Sequence, residues 1–516
     1  MHFFLTPRTA VLLFIASASF AQSRYDEQSA YDEPWRPQFH FTPAKNFMND
    51  PNGLVYYKGE YHLFYQHNPQ GNVWGHMSWG HAVSTDMVHW RHLPLAIPEE
   101  EGKYMIYSGS AVVDWGNSSG LCEVYDKEER SCLIAIYTAA GKDLQTQHLA
   151  YSNDRGRTWT NYPGNPIVNL AKPDFRDPKI FWYEPKKKWV MVAVLADERK
   201  LMIFDSPNLK EWKLRSTFGP AGDSTGQWEC PDLFELPVEE TKEKKWVLIV
   251  NRNPGAPAGG TGTKYFVGWF DGLEYKNETP ASHELWADYG KDFYATNTFA
   301  DLPEGDSRKI WMGWISNWQY ANVEPTVQWR GAQSIPRTLR LRRFSDGIRL
   351  VQQPVREMKI LRGKEFHLER VSVEEANRRI KEAGISGDTV EIEAELAPGN
   401  AEEMGFRVRK GGVQETLVGV SRRQKSVFID RNKAGELSYS KEAAGRHSGQ
   451  IQQTSRVKLQ IFVDRSSVEV FANDGEVTLT DRIYPSEHSV GIEVYSLEGN
   501  GKIESLSIWK LASVWK

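Results

Sequence analysis

Ser152-Asn153-Asp154-Arg155-Gly156-Arg157-Thr158-Trp159 is the stretch from which the fold can be read. Ser and Asp side chains at this spacing bond local backbone in a hairpin turn, and the tryptophan that follows is left to pack. The stretch has weaker copies. Ser84-Thr85-Asp86 leads to Trp90, and Ser206-Pro207-Asn208 leads to Trp212, at separations of 68 and 54 residues that suit one four-stranded sheet per unit. Repeated sheets of that size build a β-propeller. Between residues 39 and 350 the chain agrees: short runs such as Trp189-Val190-Met191-Val192-Ala193-Val194 and Trp246-Val247-Leu248-Ile249-Val250 sit between Gly, Pro, Asn and Asp, with almost no long 3.6-residue periodicity.

Beyond residue 350 the pattern changes. Ser372, Glu375 and Gly384 mark a helix with a capping box and a stop. After it, Val390, Ile392, Ala394 and Leu396 alternate with glutamates, and Val457, Leu459, Ile461 and Val463 with polar residues, which predicts strands with one wet face, as in a β-sandwich. The expected class is all-β: a propeller over residues 22–352, a linker over 353–363 and a sandwich over 364–516. Residues 1–21 have the layout of a secretory signal peptide, Arg8 before the apolar run Val11-Leu12-Leu13-Phe14-Ile15-Ala16 and small residues ending at Ala21. Export to an extracellular or periplasmic space follows from that reading. It is compatible with a disulfide between Cys122 and Cys132, ten residues apart around a polar loop, with Cys230 left over.

Composition narrows the function. With 63 Lys+Arg against 67 Asp+Glu, a formal charge of −4 and a pI near 6.4, the chain lacks the basic footprint of a nucleic-acid binder and any polybasic membrane anchor. The 13 histidines form no HExxH pattern and the three cysteines no ligand cluster, so no metal is expected. The glycine-rich residues 255–262 lack a P-loop lysine and read as a flexible loop. The load of 19 Trp, 21 Tyr and 23 Phe exceeds what packing obviously requires and suits the C–H faces of sugars.

Three acids stand in unusual settings: Asp50 in Met48-Asn49-Asp50-Pro51-Asn52-Gly53, Asp177 in Arg176-Asp177-Pro178, and Glu229 in Trp228-Glu229-Cys230-Pro231. Each is followed within two positions by Pro, so a rigid turn could hold each carboxylate at the mouth of a central cavity. Cleavage of a glycosidic bond needs such carboxylates, one as nucleophile and one as acid. In this order the three motifs resemble those of the glycoside hydrolase family 32 β-fructofuranosidases, which include invertases, inulinases and levanases. The resemblance continues through Trp79-Gly80-His81, Tyr107-Ser108-Gly109-Ser110, the run from Asp288 to Ala295, Gly313-Trp314-Ile315-Ser316-Asn317-Trp318 and Val468-Glu469-Val470-Phe471, and so covers nearly the whole chain after residue 21.

The resemblance implies a five-bladed propeller followed by a β-sandwich, no cofactor, a carbohydrate substrate, and either a monomer or a homodimer. Asp50 would be the nucleophile, Glu229 the acid/base and Asp177 the transition-state stabiliser, with Arg176 beside it. Asn49, Gln66, Trp74 and Ser110 would line the fructose pocket, Asp288 and Lys291 its wall, and Trp314 or Trp318 its floor. Retention through a covalent fructosyl-enzyme requires a raised pKa on Glu229 and an ionised Asp50; the Cys230 thiol is expected to tune Glu229. The implied activity is exo-acting release of terminal fructose from inulin, levan and sucrose. A sucrose-specific invertase, a fructosyltransferase and a silent fructan-binding module are the alternatives.

Overall fold

Five sheets, antiparallel apart from a two-residue parallel pairing of Trp329–Arg330 with the first strand, follow one another along the first two thirds of the chain, and each starts with an inner strand: Asn46–Tyr57, Met105–Val113, Phe175–Tyr183, Gln227–Pro237 and Tyr294–Thr298. The computed structural model describes residues 31–124, 130–222, 225–280 and 283–515; the signal-peptide reading of residues 1–21 lies outside them. No helix among the described residues is long and apolar enough to cross a membrane.

The Ser152-to-Trp159 turn recurs between the third and fourth strands of successive blades. Ser152 Oγ donates to Asp154 Oδ1 (2.8 Å), Thr158 N donates to the same oxygen (2.9 Å), and Trp159 Nε1 closes the turn on Gly156 O (3.1 Å). Asp86 and Asn208 accept backbone N–H groups in the same way, and Trp90 and Trp212 donate to Met87 O and Leu209 O. Each ring then packs on the core shared with the neighbouring blade; Trp159, for example, meets the Phe64 ring edge-on at 5.4 Å. A fourth copy ends in tyrosine, so the Ser-to-Trp spacing does not reveal it. In Asp271-Gly272-Leu273-Glu274-Tyr275 the aspartate accepts from Leu273 N and Glu274 N, and Tyr275 is buried between the third and fourth blades. Cys122 and Cys132 form a disulfide across the connection between the first two strands of the second blade.

The fifth blade ends with Gly347–Pro354, a short turn spans Arg356–Leu361, and Arg362–Ser372 opens a six-stranded sheet that packs on a five-stranded one. The alternating residues from Val390 to Leu396 and from Val457 to Val463 face the core between them. The helix Val373–Glu382 carries half of its expected capping box: Ser372 Oγ accepts from Glu375 N (3.2 Å), whereas the Glu375 carboxylate binds Arg378 and Arg379 instead.

Buried charges join the sandwich to the propeller. His40 lies between two sandwich carboxylates, with Nδ1 2.8 Å from Asp464 and Nε2 2.8 Å from Glu469. Glu469 also accepts from Ile335 N and the Arg337 guanidinium, and Arg337 reaches Asp288 (3.0 Å) and Thr480 (2.6 Å). A second cluster sets Arg431 (2.7 Å) and Arg482 N (2.7 Å) on Asp292. Charges this far from water persist only when every lone pair is met, and removal of one partner costs about 3–5 kcal/mol.

Burial pulls the His40 pKa down, but the hydrogen bonds to Asp464 and Glu469 outweigh it and raise the value from 6.5 to about 9. A raised folded-state pKa gives stability that is complete below the unfolded value and lost as pH climbs through the folded one. The denaturation midpoint should therefore fall between about pH 6.5 and pH 9, and His40→Gln should flatten the decline. A midpoint independent of pH across that window in the unaltered chain would contradict the role given to His40.

Candidate active site

All five inner strands carry an extra residue at the same level. Between Met48 and Pro51, Tyr107 and Gly109, Arg176 and Lys179, Glu229 and Asp232, and Tyr294 and Asn297, the inner strand advances one residue more than its partner. A bulge breaks the ladder and re-aims the side chain beside it. Here the side chains re-aimed toward the axis are Asp50, Ser108, Asp177, Glu229 and Tyr294, and all five line one cavity of about 470 Å3. The prolines seen in the sequence explain part of this. Pro178 and Pro231 stand within two of the bulges, where a missing N–H costs no ladder hydrogen bond, and Pro51 is the first paired residue after a third.

Asp50 is buried and accepts from three donors: Ser108 Oγ (2.6 Å) and the Cys230 thiol (3.3 Å) on Oδ2, and Asn49 Nδ2 (2.9 Å) on Oδ1. Burial raises its pKa, the charge of Glu229 adds to the effect, and the three donors oppose it. Asp177 takes the backbone N–H of Cys230 (2.9 Å) and lies 3.7 Å from the same thiol. Burial lifts Asp177 to about 7 against the pull of Arg176, with Glu229 and Asp50 adding repulsion. Glu229 is the more open acid, held by Arg176 Nη2 on Oε1 (3.2 Å) and by the Tyr294 hydroxyl on Oε2. Burial drives the Tyr294 phenol and the Cys230 thiol well above their ordinary values, so both remain protonated donors.

Of the residues singled out by sequence, Asp50, Asp177, Glu229, Asn49, Gln66, Trp74, Arg176 and Trp318 line the cavity. Four do not. Ser110 is buried between blades, donating to Pro178 O (2.9 Å) and accepting from Ile180 N (2.9 Å), because the bulge before it turns Ser108 to the axis instead. Asp288 belongs to the domain interface, where it binds Arg337 and Thr480. Lys291 is buried with its ammonium on Ala258 O (2.8 Å). Trp314 lies fully buried beneath Trp318, ring centroids 4.8 Å apart, and supports the floor without forming it.

Two further expectations need correction. The Cys230 thiol meets Asp50 and Asp177, and not Glu229, because Cys230 has a φ of 40° that turns it away from the strand it follows. Residues 255–262 do not form a free loop, since Lys291 and Asn317 hold its carbonyls at Ala258 and Gly259 and a Cβ on Gly260 would sit 2.1 Å from Asn317 Oδ1. Among the lining residues that the sequence does not single out are Ser108 and Tyr294, both inside the family motifs; only the bulges show which neighbour faces the axis. Among the described residues no group of three or more His, Cys, Asp or Glu is arranged to hold a metal ion.

Residues 40–354 match the family description "Glycosyl hydrolases family 32 N-terminal domain", and residues 357–510 match "Glycosyl hydrolases family 32 C terminal". The chain belongs to glycosyl hydrolase family 32. It is 50% identical over 515 residues to a levanase of Bacillus subtilis, covering 98% of this chain and 74% of that protein. It is 38% identical to an extracellular exo-inulinase of Aspergillus awamori, covering 94% and 96%. The crystal structure of the exo-inulinase from Aspergillus awamori superposes with a TM-score of 0.86 at 36% identity, covering 94% of this chain and 100% of that one. That of a β-fructofuranosidase from Schwanniomyces occidentalis, complexed with fructosyl-erythritol, gives 0.84 at 33%, covering 94% and 98%. The architecture is the family 32 propeller with its sandwich, and the protein is a glycoside hydrolase of the β-fructofuranosidase class.

The donor set on Asp50 makes a testable order. Ser108 lowers the Asp50 pKa more than Cys230 does. Ser108→Ala should therefore move the acid limb of the pH dependence of kcat/KM to higher pH, and Cys230→Ala should move it less in the same direction. An acid limb unmoved by both substitutions would show that Asp50 does not set it.

Proposed function

We propose that the protein is a retaining, exo-acting hydrolase that releases terminal β-D-fructofuranosyl residues from fructans of the levan and inulin type and from sucrose. The observation that carries this reading is the shape of the catalytic cavity together with its acids. The carboxylates sit at one mouth of the propeller axis, and below them the axis is closed by Lys179, which donates to Asn297 Oδ1 (2.5 Å) and Thr298 O (2.6 Å) and pairs with Asp232 (3.2 Å). A blind pocket of this kind receives the end of a chain and excludes its interior.

In this reading Asp50 attacks the anomeric carbon while Glu229 gives its proton to the departing oxygen. The C–O bond to the leaving sugar breaks as the Asp50–fructosyl bond forms. Glu229, now a carboxylate, takes a proton from water, whose oxygen displaces Asp50 and frees fructose with its configuration retained. Asp177 and Arg176 grip fructose hydroxyls as charge develops at the ring, and Tyr294 holds Glu229 in line. Asn49, Gln66, Trp74 and Trp318 would shape the remaining contacts. The levanase and exo-inulinase relatives support the fructan preference, and the apolar leader of residues 1–21 supports secretion.

Asp50→Ala and Glu229→Ala should each lower fructose release by several orders of magnitude while circular dichroism and the melting temperature stay near those of the unaltered chain. Azide should restore part of the rate to Glu229→Ala by attacking the fructosyl-enzyme, giving a fructosyl azide of retained configuration, whereas any azide product of Asp50→Ala should have the inverted configuration. Parallel assays on levan, inulin and sucrose decide the substrate: release from sucrose alone would replace this reading with that of an invertase.

A further inference from the structure

The opposite mouth of the propeller axis holds a second cavity, of about 460 Å3. Inner strands run from the catalytic site to it. Asp177 and Trp182 share the strand Phe175–Tyr183, and five residues at about 3.3 Å each set them about 16 Å apart along it. Lys179 and its partners Asn297, Thr298 and Asp232 fill the axis between the two cavities, so neither is a subsite of the other.

Three tryptophans shape this second cavity: Trp115, which is 54% exposed, Trp182, which is 40% exposed, and the buried Trp189. Each indole N–H is already satisfied within the protein. Trp115 donates to Asp301 Oδ1 (2.9 Å), Trp182 to Glu184 Oε2 (2.7 Å) and Trp189 to Ser118 Oγ (2.9 Å). Trp182 also rests edge-on against Trp189 with centroids 5.1 Å apart. The planes of the two exposed rings are thus fixed by directed bonds while their faces stay open to water. A ring that is already ordered loses little freedom when a ligand covers it, which is what a preorganised platform requires.

The polar groups of the cavity are mixed in sign. Lys309 lines it, and no side-chain hydrogen bond joins its ammonium to another described residue; the ammonium lies 5.9 Å from the centroid of the Phe234 ring and is attracted by the carboxylates of Asp232 and Asp301. Asp301, whose carboxylate accepts from Trp115 Nε1 and Val113 N and keeps further lone pairs, supplies the acceptor, while the buried Asp114 carboxylate is taken up by Ser118 and Ser119. One cation beside two carboxylates gives no excess of positive charge for a phosphate or sulfate. Donors and acceptors set next to aromatic faces match instead a neutral ligand with hydroxyls around apolar C–H faces.

We propose that this groove is a non-catalytic carbohydrate site that holds an internal stretch of a fructan chain through Trp115 and Trp182, with Lys309 and Asp301 bonding hydroxyls. The identity of the sugar rests on the fructan reading above; the existence of the site rests on the groove alone. Its effect is to keep the polymer at the protein surface, so that chain ends meet the catalytic mouth at a raised effective concentration.

Native gel electrophoresis in gels cast with or without levan or inulin tests this, with Glu229→Ala as the background so that the polymer stays intact. A long polymer offers few ends, so retardation reports binding to its interior. Retardation of Glu229→Ala is expected, with apparent affinity weakened about tenfold or more by the added pair Trp115→Ala and Trp182→Ala, as the loss of a second contact point predicts. Phe at both positions should keep most of the retardation. In a chain with Glu229 intact, the Ala pair should leave kcat/KM for sucrose within about twofold and raise the KM for the polymer. Absence of retardation, equal retardation with and without the pair, or loss of sucrose turnover in the Ala pair would each overturn the proposal. Failure of the fructan reading would show separately, as no fructose released from levan or inulin by the unaltered chain.

Discussion

The five bulges at one level of the inner strands are the constraint on which the site depends. A regular strand would alternate its side chains between the two neighbouring blades and leave only backbone facing the axis. The extra residue in each strand breaks that alternation at the height where chemistry is needed, and five blades then deliver an aspartate, a serine, a second aspartate, a glutamate and a tyrosine to one place. The positive φ values of Asp177, at 62°, Cys230, at 40°, and Ala295, at 54°, belong to the same distortion. Strain of this kind persists only where packing over-determines it. The packing is present: Gly109 could not carry a Cβ, which would lie 2.1 Å from Ile136 O, so the bulge of the second blade is locked against its own neighbouring strand.

Convergence of three acids, two of them buried, is costly, and the structure offsets the cost unevenly. Asp50 receives three neutral donors, Asp177 a backbone N–H and a distant arginine, and Glu229 the near end of that arginine together with a phenol. The thiol of Cys230 touches both aspartates, so it separates two like charges that would otherwise face one another directly. A cysteine suits this position because its side chain is small, stays protonated when buried, and donates weakly without adding charge.

Much of the architecture was legible because turn chemistry and period-two alternation are local properties. Ser152, Asp154 and Trp159 announce their hairpin within eight residues, and the valines and leucines of Val457–Asp464 announce a half-buried strand by themselves. The fourth turn was hidden because Tyr275 performs the packing expected of tryptophan. The site was legible only through its motifs, and only to within a residue. Ser108 and Ser110 look alike in sequence, yet one faces the axis and the other bridges two blades, because a bulge is a relation between strands that a single segment does not record. Asp288 and Lys291 were misplaced for a related reason: their partners, Arg337, Thr480 and Ala258, are distant in the chain.

The segment that carries Asp288 and Asp292 into the sandwich reaches Tyr294, which donates to Glu229, only two residues later. Among the described residues the sandwich supplies none to the pocket lining, yet it fixes the path by which the fifth blade enters the ring. The two modules are consequently not interchangeable parts. A chimera that joined this propeller to a foreign sandwich would have to bring matching counterparts of Glu469, Thr480 and Arg482, or the tyrosine beside the acid would lose its anchor. Recombination between relatives should thus succeed when the stretch around Asp288 travels with the second module, and fail when the cut is made at the apparent seam between them.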